Sequence, residues 1–141
     1  MKKNKEDIIN SWMEKADRDI EVAKRELKIS DPLTDIICFH AQQSAEKYMK
    51  AYLIFLDIEF QKTHDIEDLV VVAGEKDPSI LKFKDNGAEL SAFAVEARYP
   101  EFEEPSLIDT KNAVEIARKI KEFIKKKILE NTAAANNSTE S

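Results

Sequence analysis

An all-α, up-and-down bundle of four to five helices is what this 141-residue sequence predicts, and three observations lead there. Only two glycines and four prolines occur, too few for a turn-rich all-β chain that needs glycine wherever φ is positive. Charged residues make up 35% and hydrophobic ones 43%, a balance that suits amphipathic helices with one wet side each. Apolar residues recur mostly at spacings of three and four. No segment reads as a paired strand, and the one β-leaning run, LVVVA at 69–73, sits inside a helical pattern.

The first helix spans about Lys5 to Lys28, with Ile8, Ile9, Trp12, Met13, Ala16, Ile20, Ala23 and Leu27 on one face and Asp17, Arg18 and Asp19 among the residues assigned to water. Ser30-Asp31-Pro32 stops it and restarts the chain, with Asp31 as the expected cap and Pro32 in the next first turn. The second helix is expected from about Pro32 to Ile58. Ile37, Ala41, Ala45, Tyr48, Met49, Tyr52, Phe55 and Leu56 form a broad stripe, and His40, Gln43, Glu46, Lys47 and Lys50 share the opposite, wet arc. Such a wide apolar face marks it as central.

Thr63 is a plausible cap for a third helix ending near Gly74, and 75–87 reads as a loop with one short turn at Ser79–Phe83. A fourth helix fits Gly87 to Arg98, stopped by Tyr99-Pro100, and Ser106 opens a last one through Ala113, Ile116, Ala117, Ile120, Phe123, Ile124 and Ile128. The expected organisation is one domain over 1–130 and a disordered tail over 131–141, where no apolar anchor remains.

Composition also excludes function classes. The net charge of −6 does not draw a polyanion over the whole surface, so nucleic acid is not an expected partner; the lysines of RKIKEFIKKK at 118–127 read as the solvated side of a core-facing helix. A lone cysteine, Cys38, permits neither an intramolecular disulfide nor a cysteine metal cage. Neither His40 nor His64 has a glutamate three residues before it, so no di-iron helical site is expected, and no metal. No apolar run is long enough for a signal peptide or a membrane span, which points to a soluble, cytoplasmic protein.

Three polar stretches remain: FHAQQSAEKYMKAYL at 39–53, KTHDIEDL at 62–69 and ARYPEF at 97–102. Each alone reads as an ordinary solvated face, a capped helix start or a helix end. In that order, over roughly residues 8 to 128, they resemble the HEPN domain family, in its stand-alone prokaryotic form. The resemblance implies a bundle like the helical domain of kanamycin nucleotidyltransferase, frequent homodimers, pairing with a minimal nucleotidyltransferase, and nucleotide binding. In toxin members it implies metal-independent RNA cleavage, which depends on an arginine followed, four to six residues later, by a histidine.

This chain departs from that last pattern. Leu33, Thr34 and Asp35 stand at the required positions before His40; Asp57, Ile58 and Glu59 before His64; Glu103, Glu104 and Pro105 after Arg98. Without that histidine as acid or base, no catalytic residue is expected. The leading expectation is a non-catalytic binding module for a nucleotide (ATP or similar, no cofactor being required) and a nucleotidyltransferase partner, as a homodimer. Its candidate site is His40, Gln43, Lys47, Lys50, His64, Arg98 and Tyr99: Lys47, Lys50 and Arg98 toward phosphates, His40, Gln43 and His64 toward base or sugar, and Tyr99 stacking on a base or closing a dimer contact. The alternatives are a toxin-type ribonuclease with a degenerate site at Arg98 and His64, and a purely structural interaction module centred on Tyr99 and Phe102.

Overall fold

The computed structural model describes the backbone of residues 3–60 and 62–139 and the side chains of that stretch as far as Asn131. Five α-helices run in order: α1 Lys5–Leu27, α2 Thr34–Phe55, α3 Ile66–Gly74, α4 Lys84–Glu96 and α5 Leu107–Thr139, with a 3-10 turn at Pro78–Phe83 before α4. No strand occurs among the described residues.

α1 begins where Asn4 Oδ1 accepts a hydrogen bond from the Asp7 amide at 2.8 Å, with Glu6 and Asp7 at its positive end and Lys24 and Arg25 at its negative end. It pairs lengthwise with α2, and α5 covers α2 from another side. α2 is the centre of the bundle: Ile37, Cys38, Ala41, Ala45, Tyr48, Met49, Tyr52 and Leu53 are all buried, against Ala16, Ile20 and Ala23 of α1 and Ala113, Ala117, Ile120 and Ile124 of α5.

Several boundaries differ from the sequence reading. α2 starts two residues after Pro32, and its cap position is Leu33, which makes no side-chain bond; Asp31 does not cap it. The Leu33 amide donates instead to Glu26 Oε1 of α1 at 3.1 Å. The helix ends at Phe55 rather than Ile58 because Asp57 takes a left-handed φ of 58°. The Ile58 amide then reaches back to the Leu53 carbonyl at 2.9 Å and the Asp57 amide to that of Ile54 at 3.0 Å, a Schellman closure with aspartate in place of the usual glycine. α3 is capped by Asp65, whose Oδ1 accepts from the Glu67 amide at 2.9 Å; Thr63 lies outside the helix and accepts from the Asp65 amide. α4 spans Lys84–Glu96 instead of Gly87–Arg98, since the 3-10 turn feeds directly into it. Ser106 does cap α5 as its sequence suggests, accepting from the Asp109 amide at 3.1 Å. α5 continues past Glu130 to Thr139, over a stretch for which the sequence predicts disorder; Ala133–Ala135 have the highest helix propensity available, and Glu140 and Ser141 lie outside the described residues.

Two phenols of α2, one turn apart, tie neighbours to it. Tyr48 donates to Asp17 of α1, which also meets Lys121 of α5 at 3.0 Å, and Tyr52 donates to Asp77 at the head of the 3-10 turn. Burial raises the Asp17 pKa, but the bonds from Tyr48 and Lys121 outweigh it and hold the carboxyl below its ordinary 3.8. A carboxylate lowered in the folded state adds stability above its unfolded pKa and loses it as pH falls through the folded one. Thermal stability is therefore expected to drop on acidification below about pH 4, and to drop less steeply in Tyr48→Phe; parallel melting curves across that range check this.

The two glycines make a second test. A Cβ on Gly87 would lie 2.7 Å from Cγ2 of Ile66, a buried, stiff β-branched chain, whereas on Gly74 it would lie 2.4 Å from Cδ2 and 2.8 Å from Cγ of Leu81, an exposed side chain free to swing toward solvent. Gly87→Ala should cost about 1–3 kcal/mol, while Gly74→Ala should be neutral or stabilising by up to about 1 kcal/mol. Urea unfolding of both variants reads the difference.

Candidate functional site

The polar arc of α2 is not wet. α1 lies over it, and each of its charges is matched. Asp19 of α1, buried, receives His40 Nδ1 at 2.9 Å and Lys47 Nζ at 2.6 Å, two α2 side chains seven residues apart on one line. Lys50, only 12% exposed, bonds Glu46 Oε2 at 3.1 Å and sits 5.5 Å from the centre of the Trp12 ring. The expectation that the arc of His40, Gln43, Lys47 and Lys50 is solvated is corrected for three of them: His40, Lys47 and Lys50 form the electrostatic seam between α1 and α2.

Glu46 connects that seam to a second region. Its side chain is 5% exposed and accepts from Lys50, from Gln42 Nε2 at 3.3 Å and from His64 Nδ1 at 3.2 Å. Gln42, buried, also donates to the His64 carbonyl at 3.0 Å and accepts from Gln43 Nε2 at 2.9 Å. The approach to α3 is thus pinned to α2 by polar contacts, while Ile66, the first residue of the helix, is buried in the shared core. His64 has its Nδ1 engaged, its Nε2 makes no hydrogen bond among the described residues, and its side chain is 82% exposed.

Beyond His64 opens a cleft of about 550 Å³ between the start of α3 and the end of α4, where Gln42, His64, Arg98 and Tyr99 meet. Asp65, Glu67 and Glu96 lie along it, and Val95 and Phe102 give it an apolar rim. Tyr99 and Phe102 contact edge to face at 6.5 Å and are about half exposed, at 50% and 49%. The Arg98 guanidinium lies 5.4 Å from the Phe39 ring centre and forms no ion pair among the described residues. The three polar stretches therefore converge, but α2 contributes Gln42 and Glu46 to the meeting rather than its lysines.

Sequence reasoning missed Asp19, Trp12 and Gln42 as members of this network. The available signals were slight: Asp19 adjoins Ile20 on the flank of the apolar stripe, and Gln42 stands four residues before Glu46, on one helical line with it. Among the described residues no group of three His, Cys, Asp or Glu side chains is placed to hold a metal ion, and no helix is long and apolar enough to cross a membrane.

This bundle, with its buried polar helix and converging cleft, has a recognisable class. The HEPN domain family model matches residues 9–128. The chain belongs to the HEPN domain family. Among solved structures it is similar to TT1696 from Thermus thermophilus, at 23% identity over 84% of this chain and 97% of that one, with a TM-score of 0.72. It is similar also to ST0689, an archaeal HEPN homologue, at 25% identity over 91% and 99% of the two chains, with a TM-score of 0.67. No curated protein matches it.

The hub generates a prediction. Glu46→Ala strands a nearly buried ammonium and removes one of the two acceptors of the Gln42 amide, so unfolding free energy should fall by about 3–5 kcal/mol. Glu46→Gln, which keeps an acceptor for Gln42, should lose less. Chemical denaturation of the two variants beside wild type measures both.

Proposed function

We propose that this HEPN protein is a non-catalytic binding module, homodimeric, that holds a nucleotide in the cleft between α3 and α4 and presents it to a minimal nucleotidyltransferase partner. The observation that carries this reading is the meeting of Gln42, His64, Arg98 and Tyr99 in one cleft, with no ion pair on the guanidinium among the described residues. Arg98 suits a phosphate, to which it can offer two parallel N–H donors. Asp65 and Glu67 are acceptors suited to ribose hydroxyls, and Tyr99, with Phe102 behind it, offers a face to a base. One arginine stands against Asp65, Glu67 and Glu96, a charge balance that favours few phosphates over a bare triphosphate.

Calorimetric titration with AMP, ADP and ATP, each with magnesium, tests this. The expected result is saturable heat, with AMP bound at least as tightly as ATP, and affinity reduced about tenfold or more in Arg98→Ala. Binding that survives Arg98→Ala unchanged would move the ligand elsewhere.

A second reading has its own support. His64 and Arg98 line the same cleft, and an exposed imidazole sharing a cleft with an arginine that forms no ion pair among the described residues is the pair a degenerate ribonuclease would use. RNA cleavage by the pure protein, or growth arrest on expression that His64→Ala relieves, would establish that reading in place of the first. Nucleotide-independent binding of a protein partner, lost in Tyr99→Ala, would instead favour a purely structural module.

A further inference from the structure

On another face, between the 3-10 turn and α5, lies an open groove of about 650 Å³ in which Lys82, Lys119, Lys126 and Lys127 surround the ring of Phe123. Lys82 Nζ sits 4.7 Å from the centre of that ring and Lys127 Nζ 5.5 Å. Lys82 and Lys119 form no ion pair among the described residues, and Lys126 and Lys127 reach Glu130 and Asp77 only at 3.9 Å. The two acids of the groove do not cancel its four lysines, since Glu122 is taken by Arg118 and Glu130 stands 3.9 Å from Lys126 alone. On a chain of net charge −6 this is a concentrated positive surface.

The same chain carries the opposite pattern at the other end of α5. Glu101, Glu103 and Glu104 of the α4–α5 loop are exposed and unpaired among the described residues, with Phe102 projecting between them. The groove begins thirteen residues into α5 after Ser106 and continues to Glu130, roughly 20 to 35 Å along the helix at 1.5 Å per residue. A loop fixed at the start of α5 cannot fold back over its own groove. We propose that the loop 101–104 of one copy docks in the lysine groove of a second copy, its three carboxylates against Lys82, Lys119 and Lys126 and its Phe102 beside Phe123. Two copies with antiparallel α5 helices satisfy both loop–groove contacts at once, which closes a twofold dimer instead of growing a chain. The inference rests on the homodimer reading above and names the surfaces through which it assembles.

The experiment is a charge exchange on the full chain, read by sedimentation velocity at low and ~1 M salt. One variant carries Glu101→Lys, Glu103→Lys and Glu104→Lys; the other carries Lys82→Glu, Lys119→Glu and Lys126→Glu. All six positions are outside the core, and circular dichroism verifies that each variant folds. Wild type is expected to dimerise at low salt and to dissociate at high salt. Each variant alone should dimerise at least tenfold more weakly, and an equimolar mixture should regain a one-to-one complex, because one contact is then restored with reversed sign and the other with its native sign. A wild-type monomer throughout would overturn the homodimer reading together with this inference. A wild-type dimer left unchanged by both variants, or variants whose mixture stays monomeric, would overturn this inference alone.

Discussion

A central helix buried on nearly every side has nowhere to leave a polar group unsatisfied, and this constraint on α2 organises the rest of the molecule. Gln42, Ser44 and Glu46 are all buried, and of their side-chain atoms only the Ser44 hydroxyl lacks a partner among the described residues. Glu46 meets the constraint by gathering Lys50 from its own helix and His64 from the approach to α3. Asp19 on α1 meets it for His40 and Lys47. The helices adjoining α2 are thus held in register by directional contacts that an apolar seam would not provide. Hydrophobic burial makes the bundle compact, and the polar pairs fix which way each helix faces.

Much of the architecture was legible in residue spacing. The apolar stripes of α1, α2 and α5 gave their existence and their inner faces, because a three-and-four periodicity has no other good reading at that length. The ends were less legible, for a definite reason. Helix termini depend on which orphan backbone group finds a partner, and here the partners come from unexpected places: an aspartate at positive φ closes α2, and Glu26 of α1 receives the amide that Asp31 was expected to organise.

The site was legible in its parts and not in its arrangement. Helical periodicity placed His40, Lys47 and Lys50 on one arc correctly, but cannot say whether that arc meets water or another helix. Gln42 falls on the edge between the two arcs, so a one-dimensional pattern gives it to neither, although it touches two of the three converging stretches. Arg98 and Tyr99 stay at the cleft, with no ion pair on Arg98 among the described residues, because a helix end exposed beside a proline has few neighbours to neutralise it.

Trp12 is the chain's single tryptophan, and it lies against Lys50 at the inner end of the polar relay. Its indole is therefore a built-in optical reporter: a cation near the ring shifts emission, so intrinsic fluorescence registers whether Lys50 is held by Glu46 or released. Glu46 in turn holds His64 at the cleft wall, so a disturbance there passes through two contacts to the only fluorophore of its kind in the molecule. Events in the cleft can be followed in solution without attaching a label to any residue.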